Sequence, residues 1–389
     1  MHRRMLGGIL LIAGTAIGGG MLALPLLTGS CGFIPAFFLI LLCWSVSVYT
    51  AYLTIEVNFW FKGQNINIPS MAQYTLGLTA RRAVSVIQML FLYTLTAAFM
   101  TGGGQVLQNA SGSFNWLQSL LLISFFAVLF MGAKIVDFIN RILMIGLCVS
   151  LLGLLFAIVP QVKPNLLLQQ NVKYTLAALS VAVGSFGFHA ILPSLVSYLE
   201  FDLKAIKKTI MIGSCIPLVV YFIWEAGVLG VIPWEGVNGL QATLLSGNSL
   251  VDPLIVYTDY PWIGTCAAFF SFFAIATSFL GVSMGLCDFI GDSFKIPNHS
   301  AGKLAKALLT ILPPLLFAIV YPNGFVMALA YAGVFVGILE AGLPTLMVWR
   351  GRYHLKKTES YKVFGGKLLL IAILIFVVIV ITLQIIFPG

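Results

Sequence analysis

Gly14-Thr15-Ala16-Ile17-Gly18-Gly19-Gly20-Met21-Leu22-Ala23-Leu24-Pro25-Leu26 lies inside a long apolar run. Its composition argues against a continuous helix. Four of the first seven residues are glycine, each costing a helix roughly 1 kcal/mol relative to alanine. Pro25 then removes a backbone donor and favours a kink. Gly184-Ser185-Phe186-Gly187-Phe188-His189-Ala190-Ile191-Leu192-Pro193-Ser194-Leu195 repeats the pattern. Each stretch has a glycine-bearing centre, and each continues into Leu-Pro-x-Leu within about two helical turns.

The surroundings of both stretches define the fold class. The chain has 389 residues, 60% hydrophobic and only 8% charged. A soluble domain carries about a quarter charged residues. Such a chain cannot cover a globule with polar surface, which excludes a soluble enzyme, a nucleic-acid-binding domain and a disordered chain. It leaves an all-α polytopic membrane protein. The six cysteines (Cys31, Cys43, Cys148, Cys215, Cys266, Cys287) are scattered and form no CxxC or Cys/His cluster, so neither a disulfide framework nor a zinc site is expected. The start, Met1-His2-Arg3-Arg4, resembles a signal peptide, but its apolar run continues to Pro25 without a cleavage site. It reads as a retained first helix.

A hydrocarbon core needs about 20 apolar residues as helix. The chain supplies eleven such spans, near 6–27, 33–60, 84–108, 116–132, 140–160, 174–199, 208–232, 261–290, 304–321, 325–349 and 365–387. With the N-terminus inside and the spans alternating, 19 of the 21 Lys and Arg fall on inside segments. Only Lys163 and Lys173 fall outside. The asymmetry supports both the orientation and the count, and it places the C-terminus outside. Residues 61–82 suggest a short inside helix. The leucines of 234–260 suggest an outer hairpin over an opening, or an ordinary interfacial loop.

Unwound backbone at mid-membrane depth is tolerated where it lines a protein cavity. The outer half of the first span offers free N–H groups to a carboxylate. The inner half of the first span and the outer half of the sixth offer carbonyls to an ammonium. Two breaks can thus hold a zwitterion without a charged side chain. The other reading is that the glycines only allow close helix packing. The breaks lie five spans apart, so the sixth span enters from the opposite face. That is the mark of an inverted repeat, with 1–160 as the first unit, 174–349 as the second and 365–387 as an extra helix in one domain.

The first stretch closely resembles the opening motif of the hydroxy/aromatic amino acid permeases, of the amino acid–polyamine–organocation superfamily. Ser185-Phe186-Gly187-Phe188-His189, Ala276-Thr277-Ser278-Phe279-Leu280-Gly281-Val282, Gly324-Phe325-Val326-Met327-Ala328-Leu329 and Tyr331-Ala332-Gly333 are similar to its tyrosine-specific branch. The resemblance runs over nearly the whole chain. It implies a LeuT-like arrangement and import of an aromatic amino acid, tyrosine or tryptophan, with a proton, in a bacterial inner membrane. No cofactor, metal or nucleic acid is expected, and the oligomeric state is open.

On that reading the carboxylate meets the amides of Gly18, Gly19, Gly20 and Met21, beside Ile17. The ammonium meets carbonyls around Gly14, Thr15, Gly184 and Ser185. Phe186, next to Gly187, is the first choice for gate or side-chain contact, with Tyr93 and Tyr331 as further aromatic candidates. Intramembrane carboxylates are costly and usually functional, which singles out Glu56, Glu225, Asp288 and Glu340 for coupling. His189 is suited to proton relay. Thr277 and Ser278 keep sodium coupling open, because hydroxyls with carbonyls fit a hard cation. The residues alone do not choose between the ions; the resemblance implies the proton. An intramembrane enzyme is the rival from another class. The chain has four His, three of them in termini or loops, and neither a G-x-S-x-G elbow nor an HExxH. A channel is the remaining rival, but two unlike breaks do not make a ring of identical groups.

Overall fold

The computed structural model describes residues 2–62, 66–111, 133–258, 260–297, 299–357 and 361–387. Every regular element among them is helical. The first span is two helices, α1 (His2–Ala16) and α2 (Gly20–Thr28), bent by 51° at the glycines. Then come α3 (Phe33–Phe59), α4 (Ile68–Leu76), α5 (Leu78–Ser111) and α6 (Ala133–Ile158). The sixth span is broken too, into α7 (Leu179–Gly184) and α8 (Leu192–Tyr198). After it come α9 (Leu203–Val231), the short α10 (Leu240–Ser246) and α11 (Val251–Tyr257), α12 (Pro261–Ser293) and α13 (Ser300–Val320). The tenth expected span is α14 (Phe325–Val336), a wide π turn (Gly337–Gly342) and α15 (Leu343–Tyr353); α16 (Lys367–Ile386) ends the chain.

Among the described residues nine helical spans are long and apolar enough to cross a membrane, and the bent pair α1–α2 makes up to ten. The expected span at 116–132 lies outside the described residues. Several helices begin before the expected apolar runs: α5 begins at Leu78 and α9 at Leu203. Hydropathy marks where hydrocarbon begins, whereas capping marks where the helix begins. The Asp202 carboxylate accepts from the Ala205 amide at 3.0 Å, and Asn67 caps α4 by accepting from the Ser70 amide at 3.0 Å. Outward faces carry bare aliphatic and aromatic side chains, such as Phe156 at 83% and Ile319 at 67% exposure. A surface of this kind suits lipid and not water.

The packing is reciprocal. The inner half α1 lies on α9, and its counterpart α7 lies on α3. The α5 helix lies on α14, and its counterpart α12 lies on α6; α5 and α12 also pack on each other. Each pairing maps onto the other when a span is exchanged for the one five places on. The closest approach joins the sixth and tenth spans: a Cβ on Gly333 would fall 1.8 Å from the Ser180 carbonyl oxygen. Only glycine permits that approach.

Candidate functional site

Both expected breaks exist, and they are neighbours. A Cβ on Gly20 would lie 3.7 Å from Ser185 Oγ. Among the described residues no backbone amide closes a helical bond on the carbonyls of Gly14 or Thr15. The Gly19 amide leaves its helix and donates to Ser278 Oγ at 3.1 Å, and the Met21 amide donates to Gly18 O at 3.2 Å. Two of the four amides expected to face a carboxylate are thus engaged within the protein, by long bonds. Phe99 of α5 lids the turn, because a Cβ on Gly19 would fall 2.5 Å from its ring. Sequence patterning did not single out Phe99.

The seventh span organises the first. Tyr221 Oη lies 2.6 Å from Ala16 O and 2.8 Å from Ser185 O, so one hydroxyl reaches a carbonyl in each break. Trp224 Nε1 donates to Met21 O at 2.9 Å. Thr28, at the far end of α2, donates to Glu225 Oε2 at 2.7 Å. Residues 221, 224 and 225 share one helix face, and that face grips the break and both ends of α2. The signal was readable as an i, i+3, i+4 polar set in an apolar helix, yet only Glu225 was picked from it. Glu225 does not reach the outer interface; it is 1% exposed, because α2 packs over it.

The two inward N-termini are filled differently. The inner half of the sixth span begins at His189, whose amide donates to Glu340 Oε2 at 3.2 Å. The His189 ring brings Nδ1 within 2.7 Å of the same carboxylate, a close electrostatic contact off the hydrogen-bond line. Its Nε2 lies 2.9 Å from Thr50 Oγ1. The π turn carries Glu340 into this position. A cavity of about 20 Å³ adjoins the pair, lined by Ser47, Thr50, His189 and Glu340, which is room for one water. This positive helix end already holds a carboxylate. The N-terminus of α2 holds only the neutral Ser278 hydroxyl, so it keeps its capacity for an anion.

The other expected site residues divide. Phe186 is fully buried, edge-on to Tyr221 at 5.2 Å, and the Phe186 carbonyl accepts from Ser47 Oγ at 3.0 Å. Gly187 lies by Glu340, whose Oε1 would be 3.6 Å from an added Cβ. Tyr93 and Tyr331 both line a hollow of about 340 Å³ between α5, α13 and α14. That hollow holds no residue of either break, and Tyr93 Oη donates to Leu309 O at 2.9 Å. Phe99, six residues further along α5, is the residue that covers the glycines. Thr277 donates back to its own helix at Phe273 O, 2.9 Å. Glu56 is locked: Arg352 Nε donates to its Oε1 at 2.7 Å, Arg352 Nη2 bonds Oε2, and the Val363 amide adds a third bond at 2.7 Å. Asp288 is exposed near the C-terminal end of α12, in the field of Lys306.

A cavity of about 690 Å³ lies beyond the C-terminal end of α2, the side that the charge pattern leads one to expect outside. Cys31, Gln169, Asn171, Leu229 and Trp234 line it, with Leu240 and Gln241 of α10. The 234–260 segment thus contributes Leu240 and Gln241 to the wall of a cavity at the end of α2.

The sequence matches the tryptophan/tyrosine permease family over residues 1–384. It is 34% identical over 383 residues to the tyrosine-specific transport system 1 of Haemophilus influenzae, covering 97% of this chain and 95% of that protein. The tryptophan-specific transport protein of the same organism is 32% identical over 400 residues, covering 98% and 95%. The low affinity tryptophan permease of Escherichia coli strain K12 is 28% identical over 396 residues, covering 96% and 93%.

Proposed function

The chain belongs to the tryptophan/tyrosine permease family, multi-pass membrane transporters and not enzymes, and on that premise we propose that it imports an aromatic amino acid with a proton across the bacterial inner membrane. Tyrosine is the first choice of substrate and tryptophan the second, following the names of its relatives. The observation that carries the reading is the pairing of the breaks. A half-helix N-terminus without a carboxylate of its own lies next to carbonyls from two other half-helices. That arrangement takes the carboxylate on the Gly18, Gly19 and Gly20 amides, with Gly19 released from Ser278. It takes the ammonium on the carbonyls of Gly14, Thr15 and the Gly184–Ser185 turn. Phe99 and Phe186 supply aromatic faces for the ring.

The five-plus-five inverted repeat belongs to the same proposal, supported by the reciprocal packing. Alternating access is then a rocking of one set of helices against the other around the breaks. Sodium coupling is the alternative. The Thr277 hydroxyl turned back on its own helix favours the proton.

The test is uptake by the purified protein in liposomes. Labelled tyrosine, tryptophan, phenylalanine and serine are offered under a pH gradient alone and a sodium gradient alone. Accumulation of tyrosine or tryptophan under the pH gradient is expected. Uptake driven only by sodium would sink the proton, and no aromatic uptake under either gradient would sink the substrate class.

A further inference from the structure

We infer that Glu225 is the residue that takes up the transported proton, from the outer cavity, and that it couples the proton to substrate through α2. The inference rests on the proton-symport reading above.

The geometry around Thr28 carries it. The Thr28 hydroxyl has one proton and two acceptors in range, Leu24 O at 2.8 Å and Glu225 Oε2 at 2.7 Å. When Glu225 is a carboxylate, the hydroxyl donates to it. When Glu225 is protonated, the hydroxyl turns to Leu24 O and its oxygen accepts from the carboxyl. The Thr28–Glu225 hydrogen bond is kept in both protonation states by one rotation, without moving a heavy atom. The second oxygen, Oε1, is buried and has no partner. A buried carboxylate with a bare oxygen is costly, and binding a proton relieves that cost.

The surroundings fit a titrating group and not a structural one. Among the described residues no salt bridge reaches Glu225; the Cys31 thiol, three residues past α2, lies in its field, and Tyr174 and Glu235 line the cavity above it. Tyr221, a turn deeper on its own helix, is committed to Ala16 and Ser185. The other buried acids differ. Glu56 is held by Arg352 and an amide, and Glu340 by the His189 ring and amide. Leu229, one helical turn above Glu225, and Cys31, three residues past Thr28, both line the outer cavity. The carboxyl thus lies just beneath that cavity. The proton adds to a carboxylate oxygen and later leaves from it, so no co-reactant is needed.

Coupling follows from what α2 does. Its N-terminus is the proposed carboxylate site, and its C-terminal residue Thr28 is the partner of Glu225. Substrate and proton therefore act on opposite ends of the same nine-residue helix.

The test uses the full chain in liposomes carrying a trapped pH dye. Wild type should accumulate tyrosine under a pH gradient and acidify the lumen, and it should exchange tyrosine in counterflow at equal pH. Glu225→Gln should lose accumulation and acidification yet keep counterflow. Thr28→Val, which removes the hydroxyl donor that favours the carboxylate, should carry uptake to more alkaline pH. Three results overturn the inference: proton-coupled accumulation retained by Glu225→Gln; counterflow lost together with accumulation; or an unshifted pH profile in Thr28→Val. A wild type that transports tyrosine without acidification fails earlier, at proton symport itself.

Discussion

Gly333 has no room for a side chain. An added Cβ would meet the Ser180 carbonyl oxygen at 1.8 Å and the Ser180 carbonyl carbon at 2.5 Å, both backbone atoms that cannot swing aside. Gly333→Ala must push α14 off α7, and overpacking of this kind costs typically about 1–3 kcal/mol. The expected outcome is a lower unfolding temperature in detergent, with Gly20→Ala, where 3.7 Å is free, as the tolerant control. Glu56 fails by a different route. Its carboxylate and the Arg352 guanidinium are both buried, and Arg352 also donates to Val363 O at 2.9 Å and Gly365 O at 3.0 Å. Glu56→Gln leaves an uncompensated buried cation, a change worth about 3–5 kcal/mol. Thermal unfolding should show the larger loss there. Retained stability would mean that the pair does not hold the 361–366 segment to α3 and α15. A carboxylate near the end of an apolar span was readable from the sequence. Its partner, 296 residues away, was not, because only the fold brings the two together.

Among the elements, the broken helices were foreseeable and the wide turn at Gly337–Gly342 was not. Glycine clusters weaken a helix locally, so the sequence carries the cost of continuing it. A π turn is a change of hydrogen-bond register, and here it coincides with Glu340 reaching the sixth span, a tertiary contact. The role of α9 escaped for a similar reason: a tyrosine and a tryptophan in an aromatic-rich membrane chain look like packing. Tyr221→Phe tests that role. Phenylalanine keeps the edge-on contact with Phe186 but strips Ala16 O and Ser185 O of their shared donor. Leaving buried acceptors unpaired costs about 1–3 kcal/mol. Tyrosine uptake should fall sharply while the protein stays folded, and wild-type uptake in this variant would show that the hydroxyl does not set the spacing of the breaks. Arg4, near the start of α1, and Glu200, two residues past α8, form a further pair. The hydrogen bond from Arg4, and then its charge, hold the Glu200 carboxyl below the usual range. Its contribution is complete above the ordinary carboxylate value of about 4.3 and disappears only as pH falls through the lowered one. Glu200→Gln should therefore leave the pH profile of uptake unmoved between about pH 5 and 8. A shift in that window would mean that this pair, and not a buried acid, reports the proton.

For the molecule as a whole, the proposed sidedness depends on parity. Up to ten helical spans able to cross a membrane are present among the described residues. An even total returns the chain to the side on which it began, and an odd total does not. The charge split counts 116–132 as a crossing: 19 bases fall inside and 2 outside only if that segment reverses the chain between α5 and α6. If it did not cross, every segment after it would exchange sides, and the six bases at 350–367 would lie outside. The substrate proposal is tied to the same count. In the proposed inverted repeat the sixth span enters from the face opposite to the first, so carbonyls of α1 and α7 approach the pocket from opposite sides. Alkaline phosphatase, which matures only outside the inner membrane, fused after α16 should therefore be active, and the same enzyme fused after Lys62 should be inactive. Activity at both positions would place the end of α3 outside and undo the charge-based orientation. Inactivity after α16, with Lys62 inside, would make the number of crossings even. It would remove 116–132 from the bilayer and require a different pairing of the two halves.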